Sequence, residues 1–346
     1  MTVASSLTST AAGRHAAAAR TRVAIAGATG FAGQELVRIL ARHPAVTLTA
    51  AMSSGATSTP RPLPALARIW DGTVVPLDVE TLVASADVIF LALPEAASAE
   101  LAPQLVARGV RVIDLSGAFR IRDNAQRQRW YPATTALPDG TAYGFSERHG
   151  DAIRRARLVS NPGCYPTAAL MALAPLANAG LIRGPVVVDA KSGISGAGKT
   201  PSERTHFSEN HGSVAAYGVF SHRHGAEIEQ ELGMPVTFVP HLVPLDRGIL
   251  ETIYASLTPG TTEPQVAEAL QAAYADAPFV RLTGGTLPEI KHVAHTNFCD
   301  IGWKVDADGG RIVLVAVIDN LIKGAAGSAV QNLNILLGLD ERTGLQ

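Results

Sequence analysis

The chain of 346 residues carries 29 lysines and arginines against 30 aspartates and glutamates, and a net charge of −1 leaves no electrostatic footprint for nucleic acid or an anionic membrane. Hydrophobic residues at 47% and charged residues at 17% exclude a disordered chain, and the length suits two domains with substantial cores. Two cysteines, Cys164 and Cys299, cannot build a disulfide framework, and no apolar run reaches the roughly 18 to 20 residues of a membrane helix, so a soluble protein of the reducing cytoplasm is expected.

Residues 1–20 are rich in Ala, Ser and Thr with no acid and read as a disordered extension rather than a transit peptide. From Thr21 the run TRVAIAG is a strand, GATGFAG a glycine turn, and QELVRILARH a helix with Leu36, Val37 and Leu40 at helical spacing. Strands follow at VTLTAAMSS, ADVIFLAL and VRVIDLSG, with a helix through ASAELAPQLVARG. This alternation is that of a doubly wound, Rossmann-type parallel sheet. Beyond about residue 160 the strands PVVVDAKSG, PVTFVPHLVP, GILETIYASL and GRIVLVAVIDN come with fewer helices between them, which predicts an α+β unit on a mixed or antiparallel sheet. KGAAGSAVQNLNILLGL closes the chain as a helix.

Gly27, Gly30 and Gly33 let backbone N–H groups approach a pyrophosphate at a helix start, although the spacing departs from G-x-G-x-x-G. Thr29, Phe31 and Ala32 belong to the same turn. An NAD enzyme commonly places a carboxylate at the end of the second strand; here stand Ser53 and Ser54, with Arg61 further on, which favours NADP.

Cys164 follows Asn161, Pro162 and Gly163 and opens a helix through Ala168, Leu170, Leu173 and Leu176. A helix N-terminus is expected to lower the thiol pKa and to offer N–H groups to an oxyanion, the setting of a nucleophile. Cys299, on an expected strand run, is assigned to structure. His222 and His224 begin a further helix and suit proton transfer near neutral pH. With His206, His211 and Glu227 nearby a metal site is the competing reading, but neither His-x-x-x-His nor a cysteine pair supports it, and no metal is expected. Two loops are rich in anion-binding residue types: DLSGAFRIRD with Ser116, Arg120 and Arg122, and DAKSGISGAGKTPSER with Ser192, Gly193, Ser195, Gly196, Ala197, Gly198 and Lys199.

GATGFAG, DLSGAFRIRD, NPGCYPT, SGISGAGK, SHRHGAEI and DNLIKGAAGSAVQNLN, in that order, resemble the N-acetyl-γ-glutamyl-phosphate reductase family, part of a larger group with aspartate-semialdehyde and glyceraldehyde-3-phosphate dehydrogenases. The resemblance implies an NADP-binding domain of residues 21–163 and 324–346 interrupted by a catalytic and dimerisation domain of residues 164–323. It also implies reduction of N-acetylglutamyl phosphate, and the antiparallel sheet of the second unit makes a homodimer or homotetramer the expected assembly. Cys164 matches the nucleophile, and His224 best matches the acid/base, leaving His222 as a substrate contact. Asn332 matches a residue near the nicotinamide. Arg120, Ser116, Asn161, Ser192, Gly193 and Ser195 are the substrate candidates, and Gly196, Ala197 and Gly198 join the glycine turn on the cofactor side. Departures from the family pattern stand at Gly117 or Ala118, commonly acidic, and at Ala226, commonly proline. An aspartate-semialdehyde dehydrogenase or a noncatalytic NADP sensor on the same fold remain the alternatives.

Overall fold

The structure is a computed structural model describing residues 20–55, 58–306 and 308–346; apart from Arg20, the expected N-terminal extension lies outside them. The first half contains β1 (Thr21–Ala26), α1 (Phe31–Leu40), β2 (Val46–Met52), α2 (Val79–Ser85), β3 (Val88–Leu91), α3 (Glu95–Ala107), β4 (Arg111–Asp114), α4 (Asn124–Trp130), β5 (Thr141–Tyr143), α5 (Ser146–Arg155) and β6 (Leu158–Ser160). Six of its strands lie in the order β2-β1-β3-β4-β6-β5, all parallel, while Arg61–Pro62 and Thr73–Val74 pair apart as a two-stranded antiparallel sheet. Val23 to Ala26 and Val88 to Leu91 are buried without alternation, as a parallel sheet covered by helices on both faces requires.

The second half contains α6 (Cys164–Asn178), β7 (Ile182–Gly193), α7 (Arg223–Leu232), β8 (Val236–Val243), β9 (Ile249–Leu257), α8 (Glu263–Tyr274), β10 (Val280–Gly284), β11 (Cys299–Asp306) and β12 (Arg311–Ile318). Its sheet runs β8-β7-β9-β12-β11-β10, with the two-residue strand Ala215–Ala216 outside β8. The pairs β7–β8 and β10–β11 are parallel and the others antiparallel. Here β8 and β9 alternate buried and less buried residues, so one face packs on helices and the other stays open. Buried against the covered face, α6 is rich in alanine, and its small side chains let neighbours close in on every side of Leu170, Met171, Leu173 and Leu176. Each of those four large apolar side chains contributes about 1.5–3 kcal/mol by burial.

A π-turn (Ile322–Ala326) leads from β12 into α9 (Gly327–Leu337), which returns to the first half and packs with α1 and the parallel sheet. The strand and helix periodicities anticipated both sheets. The three-residue strands β5 and β6 and the seven-residue helices α2 and α4 escaped notice because they carry too few residues to show a period.

Candidate active site

Loops leaving the carboxyl ends of β1, β4 and β6 meet those leaving β7 and β12, the edge at which parallel sheets bind ligands. Together they enclose a cleft of about 290 Å³ bordered by Gly30 to Gly33, Arg120, Cys164, Ser195, Lys199 and His224.

In the glycine turn the three glycines do different work. A Cβ on Gly27, whose φ is +93°, would lie 2.2 Å from the carbonyl oxygen of Ala92, and one on Gly33 would lie 2.1 Å from that of Gly27. Both positions therefore close the turn onto its neighbours. Gly30 is the N-cap of α1 and would tolerate a Cβ at 3.5 Å from Gly27 O, so this bare backbone faces the cleft with the positive end of the helix behind it. Lys199 reaches across from the second half and donates to Thr29 O at 2.8 Å while lying over the Phe31 ring. Such a cradle fits the pyrophosphate of a dinucleotide. At the end of β2, Ser53 is buried and its hydroxyl turns inward to Gly55 O at 2.9 Å and to Ser58, whereas Ser54 is exposed.

Cys164 starts α6 in a part-buried position, and the Tyr165 backbone N–H points at its sulfur. The expected depression of its pKa is overturned. Burial pushes the thiol up from 9.0 to about 11, against the opposing pull of the Arg120 charge and that N–H. The lift corresponds to about 3 kcal/mol, more than the ~0.3–1 kcal/mol of a surface helix terminus. Gly324 of the π-turn is what crowds it: a Cβ there would sit 2.8 Å from that of Cys164.

His224 lies on the first turn of α7 against the residue before the cysteine, where a Cβ on Gly163 would stand 2.5 Å from its Nε2. Arg120 Nη1 lies 3.3 Å from the same nitrogen and, being able only to donate, leaves the proton on Nδ1, which is buried without a partner among the described residues. Burial first, then electrostatic coupling to His222 and the charges of Arg120 and Arg223, hold His224 well below the ordinary imidazole range. The resting ring is neutral, not poised near neutrality as expected from sequence.

Arg120 is itself buried and bound from Nε to Asn161 O at 2.8 Å and from Nη2 to Leu115 O at 2.8 Å, so only its Nη1 edge borders the cleft. That edge pairs with Glu227 Oε2 at 3.4 Å. Glu227, read from sequence only as a metal candidate, is the centre of this cluster: its Oε1 also accepts from Tyr143 Oη at 2.7 Å and from the Gly163 N–H at 2.9 Å. The signal for it was the i, i+3 spacing from His224 on one helix face.

Several other candidates take structural places. Ser116 donates to Asp114 Oδ2 at 2.6 Å and closes its own turn. Asn161 donates to Ala325 O and accepts from Asn332 at 2.9 Å, while fully buried Asn332 also donates to Gly144 O and accepts from Ser146, so neither amide faces the cleft. Ser192 donates to Gly193 O, and Gly193 lets β7 end against the backbone of Arg247. Ser195 does border the cleft, held by Asn320 at 3.0 Å. Gly196 and Gly198 border it too, whereas Ala197 lines a neighbouring cavity. His222 caps α7 by accepting from the His224 N–H at 3.1 Å and faces that neighbouring cavity instead of Cys164; burial lowers its pKa to about 4. No group of three His, Cys, Asp or Glu side chains among the described residues is arranged to hold a metal ion. No helix there is long and apolar enough to cross a membrane.

Sequence reasoning also passed over Glu251, fully buried on β9 between Ala190 and Ala316, with neither oxygen partnered among the described residues. Burial keeps its carboxyl protonated well above the usual carboxylate range.

The family described as semialdehyde dehydrogenase, NAD binding domain, matches residues 22–156, and that described as semialdehyde dehydrogenase, dimerisation domain, matches residues 164–320. An N-acetyl-gamma-glutamyl-phosphate reductase of Brevibacillus brevis is 45% identical over 337 residues, spanning 94% of this chain and 97% of the relative. One from Geobacillus thermodenitrificans is 46% identical over 94% of this chain and 98% of its own. Among solved structures, aspartate semialdehyde dehydrogenase II from Vibrio cholerae superposes with a TM-score of 0.72 at 21% identity, over 92% of this chain and 99% of that one. Aspartate semialdehyde dehydrogenase with NADP from Candida albicans gives 0.68 at 16% identity, over 92% and 99%. The two structures share the fold.

Proposed function

Because this chain belongs to the N-acetyl-gamma-glutamyl-phosphate reductase family, we propose that it reduces N-acetylglutamyl phosphate to N-acetylglutamate semialdehyde and phosphate through a thioester on Cys164. The carrying observation is the convergence of Cys164, His224, Arg120 and the open backbone of Gly30 on one cleft.

The resting pair is a protonated thiol and a neutral imidazole, which makes His224 a base at rest. As the sulfur attacks the acyl carbon its proton passes to His224, the carbon–oxygen bond to phosphate breaks and phosphate leaves, with the α6 N–H groups turned to the oxyanion. A dianionic phosphate in the cleft offsets the positive surroundings that keep the ring neutral. A reduced nicotinamide dinucleotide supplies the hydride. His224, now an imidazolium, returns its proton to the oxygen of the tetrahedral adduct, and collapse frees the aldehyde and regenerates the thiol. Arg120 orients the imidazole and stabilises negative charge, while Glu227 fixes Arg120 and the Gly163 backbone together.

NADP is the cofactor this reading assigns. The end of β2 offers no carboxylate, Ser54 is exposed there, and Arg61 is near enough to help lower the pKa of Lys199, second to burial. The domains are taken as residues 21–163 with 324–346, and 164–323, working in the cytoplasm. A second copy docks on the open face of the mixed sheet, where Tyr254 stands 44% exposed beside Val187 and Val313. The test is phosphate-dependent NADP reduction with N-acetylglutamate semialdehyde, run beside aspartate semialdehyde. Turnover of the first at least a hundredfold more efficiently is expected; preference for the second overturns the reading.

A further inference from the structure

Beside the cleft, and sharing Gly196 with it, lies a separate cavity of about 800 Å³. Its wall adjoins the nucleophile's surroundings: Tyr217, lining it, has its hydroxyl 3.3 Å from that of Tyr165, the residue after Cys164. Two arginines border it. Arg223 is paired with Glu95, whereas Arg204 meets no carboxylate among the described residues and lies with its guanidinium 4.9 Å from the centre of the Tyr217 ring. Asn210, only 6% exposed, also borders it, and its Oδ1 is buried without a donor among the described residues. A buried amide oxygen left unpaired costs about 1–3 kcal/mol, a capacity that a donor bound beside Asn210 would meet after a small turn of its side chain.

An N-acetylglutamyl group carries, away from its reacting carbon, one carboxylate and one amide N–H. Resting on the function proposed above, we propose that this cavity receives that distal end: Arg204 pairs the α-carboxylate and Asn210 Oδ1 accepts from the acetamido N–H. Tyr217 holds the Arg204 fork in place, since an arginine stacked on an aromatic face loses less freedom when it binds. His222, neutral on the wall, packs edge-on to Tyr165 and Tyr217. Exposed Glu203 and Glu209 on the rim oppose a diffuse attraction for anions, so selection rests on the contact pair with Arg204. An acyl phosphate without the acetamide would leave Asn210 Oδ1 unpaired, which turns a buried amide into a specificity determinant.

The experiment uses the full-length enzyme in the oxidative direction, at saturating NADP and phosphate, with N-acetylglutamate semialdehyde varied. Arg204→Met is expected to raise the KM for this aldehyde about 10- to 100-fold, as loss of a hydrogen-bonded charge predicts, with kcat within about threefold. Arg204→Lys recovers part of that loss. For 4-acetamidobutanal, which keeps the acetamide and the aldehyde and lacks the carboxylate, the KM is the same in Arg204→Met as in the parent. Asn210→Leu raises the KM for the acetylated aldehyde about 2- to 10-fold. NADP binding followed by tryptophan fluorescence verifies folding of each variant. An unaltered KM in Arg204→Met overturns the inference, and so does a rise in the KM for phosphate in place of the aldehyde. Failure of the parent enzyme to turn over N-acetylglutamate semialdehyde at all is the different result that removes the proposed function itself.

Discussion

Two buried charged clusters hold the backbone around Cys164, and they are finished differently. Lys323, wholly buried beside the π-turn glycine that crowds the cysteine, donates to Glu147 at 2.5 Å and to Gln331 at 2.7 Å, and Gln331 in turn donates to Glu147 and Glu341. Its polar atoms find partners at short range, as a buried ion pair needs if it is to offset its desolvation. On the other side, Arg120 meets His224 and Glu227 only at 3.3 and 3.4 Å, and His224 Nδ1 has no partner among the described residues. The closed cluster fixes geometry. The open one leaves Arg120 and His224 loosely held to one another at the edge of the cleft, at a cost in stability that the surrounding packing offsets.

The largest expected effect separates them. His224→Asn removes the proton carrier and little else, so kcat/KM falls about 10²- to 10⁴-fold while the melting temperature stays within a few degrees; steady-state kinetics beside a thermal melt give both numbers. Retained turnover with a collapsed melt would make His224 a structural residue. Lys323→Met reverses the pattern. It leaves the buried Glu147 carboxylate without its counter-charge, costing about 3–5 kcal/mol in urea unfolding, while the kcat of the folded enzyme changes less than about tenfold. A large kcat loss at intact stability would bring Lys323 into the chemistry and dissolve the distinction.

Glu251 tests the same idea by pH. Its folded pKa is raised by burial, so as pH rises the unfolded chain releases this proton first, near its ordinary ~4.3. The stability associated with the group is fully present below about pH 4 and falls by about 1.4 kcal/mol per pH unit until the folded pKa is reached. Glu251→Gln removes that slope. The variant should overtake the parent in melting temperature at pH 8 and show no gain at pH 4.5; equal differences at both values would mean that the carboxyl is not buried as a neutral acid.

The smallest effect concerns the glycine turn. Gly30→Ala meets only an ordinary contact at 3.5 Å, so stability holds and NADP affinity drops several-fold, whereas Gly33→Ala drives a Cβ to 2.1 Å from backbone and destabilises the fold. Parallel thermal melts and cofactor titrations distinguish the two.

Local features were legible in sequence: the glycine turn after β1, the cysteine at the start of α6, and the change from parallel to mixed sheet. The electrostatics were not. The thiol is lifted by burial, to which packing from distant segments such as Gly324, 160 positions away, contributes, and no local pattern reports that. Asn332 was placed near the nicotinamide by the family resemblance alone; in three dimensions its amide ties α9 to Gly144, Ser146 and Asn161. Glu227 was hidden for the converse reason. Its role depends on Tyr143 and the Gly163 N–H, which only folding brings within reach.

The central claim is that Cys164 carries the acyl group. Incubating the enzyme with N-acetylglutamate semialdehyde and NADP while withholding phosphate should trap the acyl-enzyme, and intact-protein and peptide mass spectrometry should find an N-acetylglutamyl adduct on Cys164, absent from Cys164→Ser and discharged on adding phosphate. Stoichiometric NADPH formation with no adduct, or an adduct on Cys299, would contradict it.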